Sequence, residues 1–143
     1  MKQARKTSLD ANHTEIANGL KAYGYGVTDM AAVGGGMTDL LVSDGKTKIT
    51  VAMEIKTSAG RLKLSQLKFL ANFKGYSAFV STLDEAVSVM RYPQLHCLSE
   101  QYKQAMIKFL IRWEPEARTK QKTTNPQILV KTFEREIERI LSK

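Results

Sequence analysis

The sequence predicts an α/β domain, and three observations carry that reading. Amphipathic helical stretches alternate with short apolar runs of strand character. Residues 48–56 alternate cleanly, with Ile49, Val51, Met53 and Ile55 on one face and Thr50, Ala52, Glu54 and Lys56 on the other. An Asp44-Gly45 pair between two strand-like runs reads as a hairpin turn.

The elements follow in order. Residues 10–23 form a helix with Ile16, Ala17 and Leu20 on one side and Asp10 as its N-cap; Gly24 and Gly26 end it. Residues 27–33 form a strand, broken by Gly34-Gly35-Gly36. No Lys-Ser or Lys-Thr follows at P-loop spacing, so these glycines suit a tight turn better than a phosphate cradle. Residues 37–43 and 48–56 form a hairpin. A helix over 64–73 presents Leu67, Leu70 and Phe73, and a strand follows over 77–81. Thr82 with Glu85 three residues later is a capping box that opens a helix to about Met90. Helix, three strands, helix, strand, helix is an α/β order with one hairpin and one crossover.

Pro93 marks a junction. Beyond it, residues 99–113 are amphipathic, with Tyr102, Met106, Phe109 and Trp113 on a stripe that suits a core or an interface. Residues 114–125 are polar, contain Pro115 and read as a loop. Residues 127–141 form a second amphipathic helix through Leu129, Phe133, Ile137 and Ile140.

The chain has 143 residues, which suits one domain and its appendage. Its 22 basic and 14 acidic residues give a formal charge of +8, which favours polyanionic partners, nucleic acid first. The charge is spread evenly. Residues 1–91 hold 12 basic and 8 acidic residues and residues 92–143 hold 10 and 6, so each part carries +4. The single cysteine, Cys97, excludes an internal disulfide and a cysteine-only zinc site. His13, His96 and Cys97 lack metal-ligand spacing. With no apolar run long enough to span a bilayer and no signal-peptide pattern, the expectation is a cytoplasmic protein without membrane association.

The informative residues are Asp39, Glu54 and Lys56. Glu54 and Lys56 are two apart on one strand and so share a face. Asp39 stands near the start of the hairpin partner. Two carboxylates and a nearby carbonyl supply hard oxygen ligands, which suit Mg²⁺ or Mn²⁺. Such an ion activates water and neutralises a phosphoryl oxygen. Lys56 would add positive charge where negative charge develops, an electrostatic and orienting role. Glu15, on the first helix, is a third candidate acid. Gln66, on the helix after Lys56, offers an amide that can hold a water or a phosphate oxygen. Taken in isolation, an exposed Glu-x-Lys strand is most often a solvated face.

In order, the stretches Asp10–Ile16, Val33–Val42 with Asp39, Met53-Glu54-Ile55-Lys56, Leu64-Ser65-Gln66, Ala78–Ser81 and Asp84-Glu85-Ala86 resemble a PD-(D/E)XK nuclease, closest to the small stand-alone VRR-NUC domains of phages and bacteria. The resemblance covers about residues 8–91, which makes residues 1–91 the expected nuclease core and 92–143 a helical extension. It implies a restriction-endonuclease-like core, α-β-β-β-α-β-α around a mixed central sheet, with two C-terminal helices appended. It implies Glu15, Asp39, Glu54 and the carbonyl of Ile55 as metal ligands, Lys56 as the motif lysine and Gln66 as the glutamine of the following helix. Thr38 stands where the family has proline. The implied activity is Mg²⁺- or Mn²⁺-dependent hydrolysis of DNA phosphodiesters, on branched DNA such as Holliday junctions in several small members, which act as homodimers. A non-catalytic nucleic-acid-binding module is the alternative that the charge alone supports equally well, and a structural or interaction protein is a third. Outside the resemblance, the C-terminal helices have three options: packing on the core, building a dimer interface, or laying Lys103, Lys108, Arg112, Arg118, Lys120 and Lys122 against phosphates.

Overall fold

A computed structural model describes residues 8–33, 37–56, 64–119, 134–139 and 141. Its elements are α1 (Ser8–Ala22), β1 (Gly26–Asp29), β2 (Leu40–Ser43), β3 (Thr50–Ile55), α2 (Leu64–Asn72), β4 (Tyr76–Val80), α3 (Leu83–Arg91), α4 (Pro93–His96) and α5 (Glu100–Thr119). Residues 134–139 are also helical. The chain is thus α/β, with a four-stranded mixed sheet in the order β1-β2-β3-β4. β1 and β2, and β2 and β3, pair antiparallel, whereas β3 and β4 pair parallel across the α2 crossover.

The alternation of β3 decides what covers each face. Val51, Met53 and Ile55 point into a core with Leu40 and Val42 of β2, Ile16, Ala17 and Leu20 of α1, and Ala86, Val87, Val89 and Met90 of α3. Ala52 points the other way, into a second core with Leu67, Leu70 and Ala71 of α2, Ala105, Met106, Phe109 and Leu110 of α5, and Ile137. Both faces of β3 are therefore buried, as a strand beside a crossover helix requires. Residues beyond Arg91 take the first of their three options and form much of the second core. The stripe on α5 is correspondingly core at Met106 and Phe109 and half-buried at Tyr102; the side chain of Trp113 lies outside the described residues.

Several local details differ from the sequence expectation. α1 begins at Ser8, so Asp10 lies inside the helix and is not its cap. β1 stops at Asp29 because that carboxylate accepts the Ala31 N–H (3.0 Å) and closes a side-chain turn; Val33 N–H then donates to Met30 C=O (3.0 Å). The hairpin loop spans 44–49, since Ser43 pairs with Thr50, and its left-handed residue is Lys48 (φ 63°) and not Gly45. Thr82 does cap α3 by accepting the Glu85 N–H, but the Glu85 carboxylate reaches back to the Ser81 N–H (2.7 Å). α5 runs through Pro115 to Thr119, where a loop was expected. Proline inside a helix loses its own N–H bond and crowds the carbonyl four residues earlier, but Glu114, Glu116, Ala117 and Arg118 around it are helix-compatible. The glycine triplet and most of the predicted helix over 127–141 lie outside the described residues.

Candidate metal and phosphate site

Asp39 and Glu54 meet because of the hairpin. Leu40 pairs with Met53, so continuing the register by one places Asp39 opposite Glu54, on the face that carries Ala52. Asp39 precedes β2, and its side chain replaces the strand's next ladder bond: Oδ2 accepts the Ile55 N–H at 2.8 Å. Lys56 N–H donates to Val80 C=O on the other side, at 2.8 Å. Backbone groups alternate direction along a strand, so the Ile55 carbonyl faces the Asp39 side together with the Ile55 N–H.

Glu54 is buried, with 3% of its surface exposed. Burial, then the adjoining Asp39 carboxylate through both hydrogen bonding and charge, push its carboxyl up to about 10. The Asp39 backbone N–H and the Thr38 hydroxyl oppose that shift without cancelling it. Oε2 of Glu54 has no hydrogen-bond partner among the described residues. Thr38, at the position where a proline was expected from the resemblance, is itself fully buried, and its hydroxyl donates to Met53 C=O at 2.6 Å. The threonine thus joins the site and satisfies a backbone acceptor, which proline cannot do.

Lys56 lies on the same face as Glu54. It is half-buried and forms an ion pair with Glu134 of the C-terminal helical segment. Gln66 is half-buried in the first turn of α2, the helix that leaves β3 across this face.

Glu15 takes a different position. It is exposed on α1, next to Ile16 and Ala17, which pack on the opposite face of the sheet. Asn12 Nδ2 donates to Ser81 C=O (3.2 Å), so α1 does start near the sheet end that carries Lys56. Among the described residues, however, no three Asp, Glu, His or Cys side chains come together as a group that could hold a metal ion. The structure joins Asp39 to Glu54 and leaves Glu15 outside that pair.

The donors nonetheless suit a hard divalent cation. Two touching carboxylates must share a proton or a cation, and a buried carboxylate oxygen without a partner is the place a cation would occupy. Asp39, Glu54 and the Ile55 carbonyl are all oxygen donors.

Glu134 and Thr38 were not singled out from the sequence. Thr38 gave a signal only as a substitution for proline, and Glu134 gave none, because its partner is remote in the chain. Lys103 is one of the six basic residues that the third option for the C-terminal helices would lay against phosphates. It is buried instead, and its ammonium donates to Phe73 C=O (2.8 Å) and Gly75 C=O (2.9 Å), closing the C-terminal end of α2.

Compared with known proteins, the chain matches no protein-family model, no curated protein and no solved structure. Among the described residues no helix is long and apolar enough to cross a membrane.

Proposed function

We propose that the protein is a metal-dependent DNA endonuclease, of the PD-(D/E)XK type its sequence resembles, with a preference for branched DNA. One observation carries the reading: a buried glutamate with an unpartnered oxygen lies against an aspartate, in a chain of net charge +8. A negative pair inside a positive protein opposes phosphate binding unless a cation stands between them. Asp39, Glu54 and the Ile55 carbonyl are the proposed ligands. Glu15 is an outlying acid at the same end of the sheet. A bound Mg²⁺ or Mn²⁺ would supply a low-pKa water and neutralise charge on the scissile phosphate.

The chain's own residues supply the rest. Asp39 is held in place by the Ile55 N–H, so its second oxygen is fixed relative to Glu54. Burial by α2 and α5 keeps water from competing at Glu54. Lys56 contributes a positive charge to a phosphate oxygen on the same face. Gln66 offers amide donors from the first turn of α2.

The test is cleavage of supercoiled, linear and four-way-junction DNA with Mg²⁺ or Mn²⁺ and with EDTA. Wild type is expected to cut only with the metal, and Asp39→Ala and Lys56→Ala are expected to bind DNA without cutting. Full cutting by either variant overturns the site. Binding that falls steeply with salt, with no cutting under any metal, favours the non-catalytic binding module.

A further inference from the structure

Lys56 is not waiting for a phosphate in this structure, because an acid of its own chain holds it. We propose that Glu134 is a built-in competitor for the DNA phosphate, a carboxylate that occupies the Lys56 ammonium until a phosphate displaces it. This rests on the nuclease reading above, since it gives Lys56 a phosphate to bind.

Three observations support the contact as a designed one. First, it joins β3 to the helical segment 134–139, and that segment is anchored independently. Ile137 is 2% exposed and belongs to the core with Phe109 and Leu110, and Arg112 of α5 reaches the Glu136 carboxylate at 3.3 Å. Arg139 grips the same carboxylate from within the segment at 2.9 Å. Glu134 is therefore presented to Lys56 by a docked element.

Second, the pair is open to exchange. The Lys56 and Glu134 side chains are 37% and 41% exposed, so solvent and ligand reach both. An ion pair of that exposure is weak and salt-sensitive, which suits a group meant to be displaced. Third, the surroundings favour a multivalent anion over the carboxylate. Glu54 and Asp39 share the face with Lys56. Glu134 thus adds one more negative charge to a face that already carries two acids. A cation at Asp39 and Glu54, together with Lys56, would bind a phosphate at two points where Glu134 makes one.

Autoinhibition and orientation make opposite predictions. If Glu134 merely held Lys56 in its working geometry, neutralising it would lower turnover and leave DNA affinity alone. If it competes, neutralising it raises affinity.

The experiment is fluorescence anisotropy with a labelled four-way junction and a labelled duplex, with Ca²⁺ in place of Mg²⁺ so that the cation site can fill, the DNA checked intact on a gel, on variants shown to be folded by thermal melts. Glu134→Gln is expected to tighten binding about three- to fivefold near 0.1 M salt, the scale of an exposed ion pair. The exposed neighbour Glu138→Gln is expected to change it less. In a Lys56→Gln background the gain from Glu134→Gln is expected to disappear. Unchanged or weaker binding by Glu134→Gln overturns the competitor, as does a gain that persists without the Lys56 ammonium. If wild type cuts DNA with Mg²⁺ and Glu134→Gln shows no gain, the competitor alone falls. If no variant binds or cuts DNA, the nuclease reading falls and the competitor with it.

Discussion

Replacing Glu54 by glutamine should stabilise the metal-free protein. The Glu54 carboxyl is pushed up to about 10 in the folded chain against an ordinary value of 4.5. Between those two values the folded state holds a proton that the unfolded state has lost, so stability falls as pH rises. The effect is absent below about pH 4.5 and complete near pH 10. At pH 7 the medium is about 2.5 pH units above the ordinary glutamate value, and each unit is worth about 1.4 kcal/mol, so the buried carboxyl costs about 3 kcal/mol. Glutamine keeps the size and carries no charge, and removes that cost. For a chain of this length the gain corresponds to a rise of about 10 °C in Tm. The assay is thermal or urea unfolding of wild type and Glu54→Gln in EDTA from pH 5 to pH 9. The two should converge towards pH 5 and separate steadily above it. Adding Mn²⁺ should restore wild type and leave the variant unmoved, because the cation takes the place of the proton. Parallel pH profiles, or a variant less stable than wild type at pH 8, would show that the buried Glu54 carboxyl does not hold its proton above the ordinary glutamate range.

Further outcomes follow from the packing. Asp39→Asn should abolish the Mn²⁺-induced rise in Tm, and Glu15→Gln should leave most of it, since Glu15 is exposed and outside the pair; equal losses would restore Glu15 to the ligand set. Phe109→Ala should destabilise by about 3–5 kcal/mol in urea unfolding, the range for emptying a buried aromatic position, because α5 is core. A chain ending at Arg91 should therefore fail to unfold cooperatively; a sharp transition would show that the first 91 residues suffice. Lys103→Met should lower stability by about 1–3 kcal/mol, read from the same curves, by leaving the Phe73 and Gly75 carbonyls without their donor.

Strand periodicity carried the most information. The alternation of β3 put Glu54 and Lys56 on one face, and the hairpin brought Asp39 opposite, because a period of two and an antiparallel turn leave little freedom. Loop chemistry was less legible: Asp44-Gly45 marked the hairpin turn, yet the left-handed position fell on Lys48 and the loop extends over 44–49. Helix periodicity identified Ile16, Ala17 and Leu20 as the inner stripe of α1. It could not say which sheet face receives that stripe, and that choice sets Glu15 apart. Close packing of α1 on α3 was also hidden, although a Cβ at Gly19 would run into the Leu83 side chain. Charges were hardest to read. Lys103 counts as surface charge in any composition, and only the α2 terminus beside it explains its burial. The Lys56–Glu134 pair joins segments that no local rule connects.

Calorimetric titration of Mn²⁺ into the protein at pH 7, in two buffers of different ionisation enthalpy, asks directly whether Asp39 and Glu54 form a divalent-cation site. Binding should release about one proton per ion, the one that Glu54 holds in the metal-free state, and Asp39→Asn should eliminate it. Absence of binding, binding without proton release, or an unchanged isotherm for Asp39→Asn would show that the pair is not a cation site.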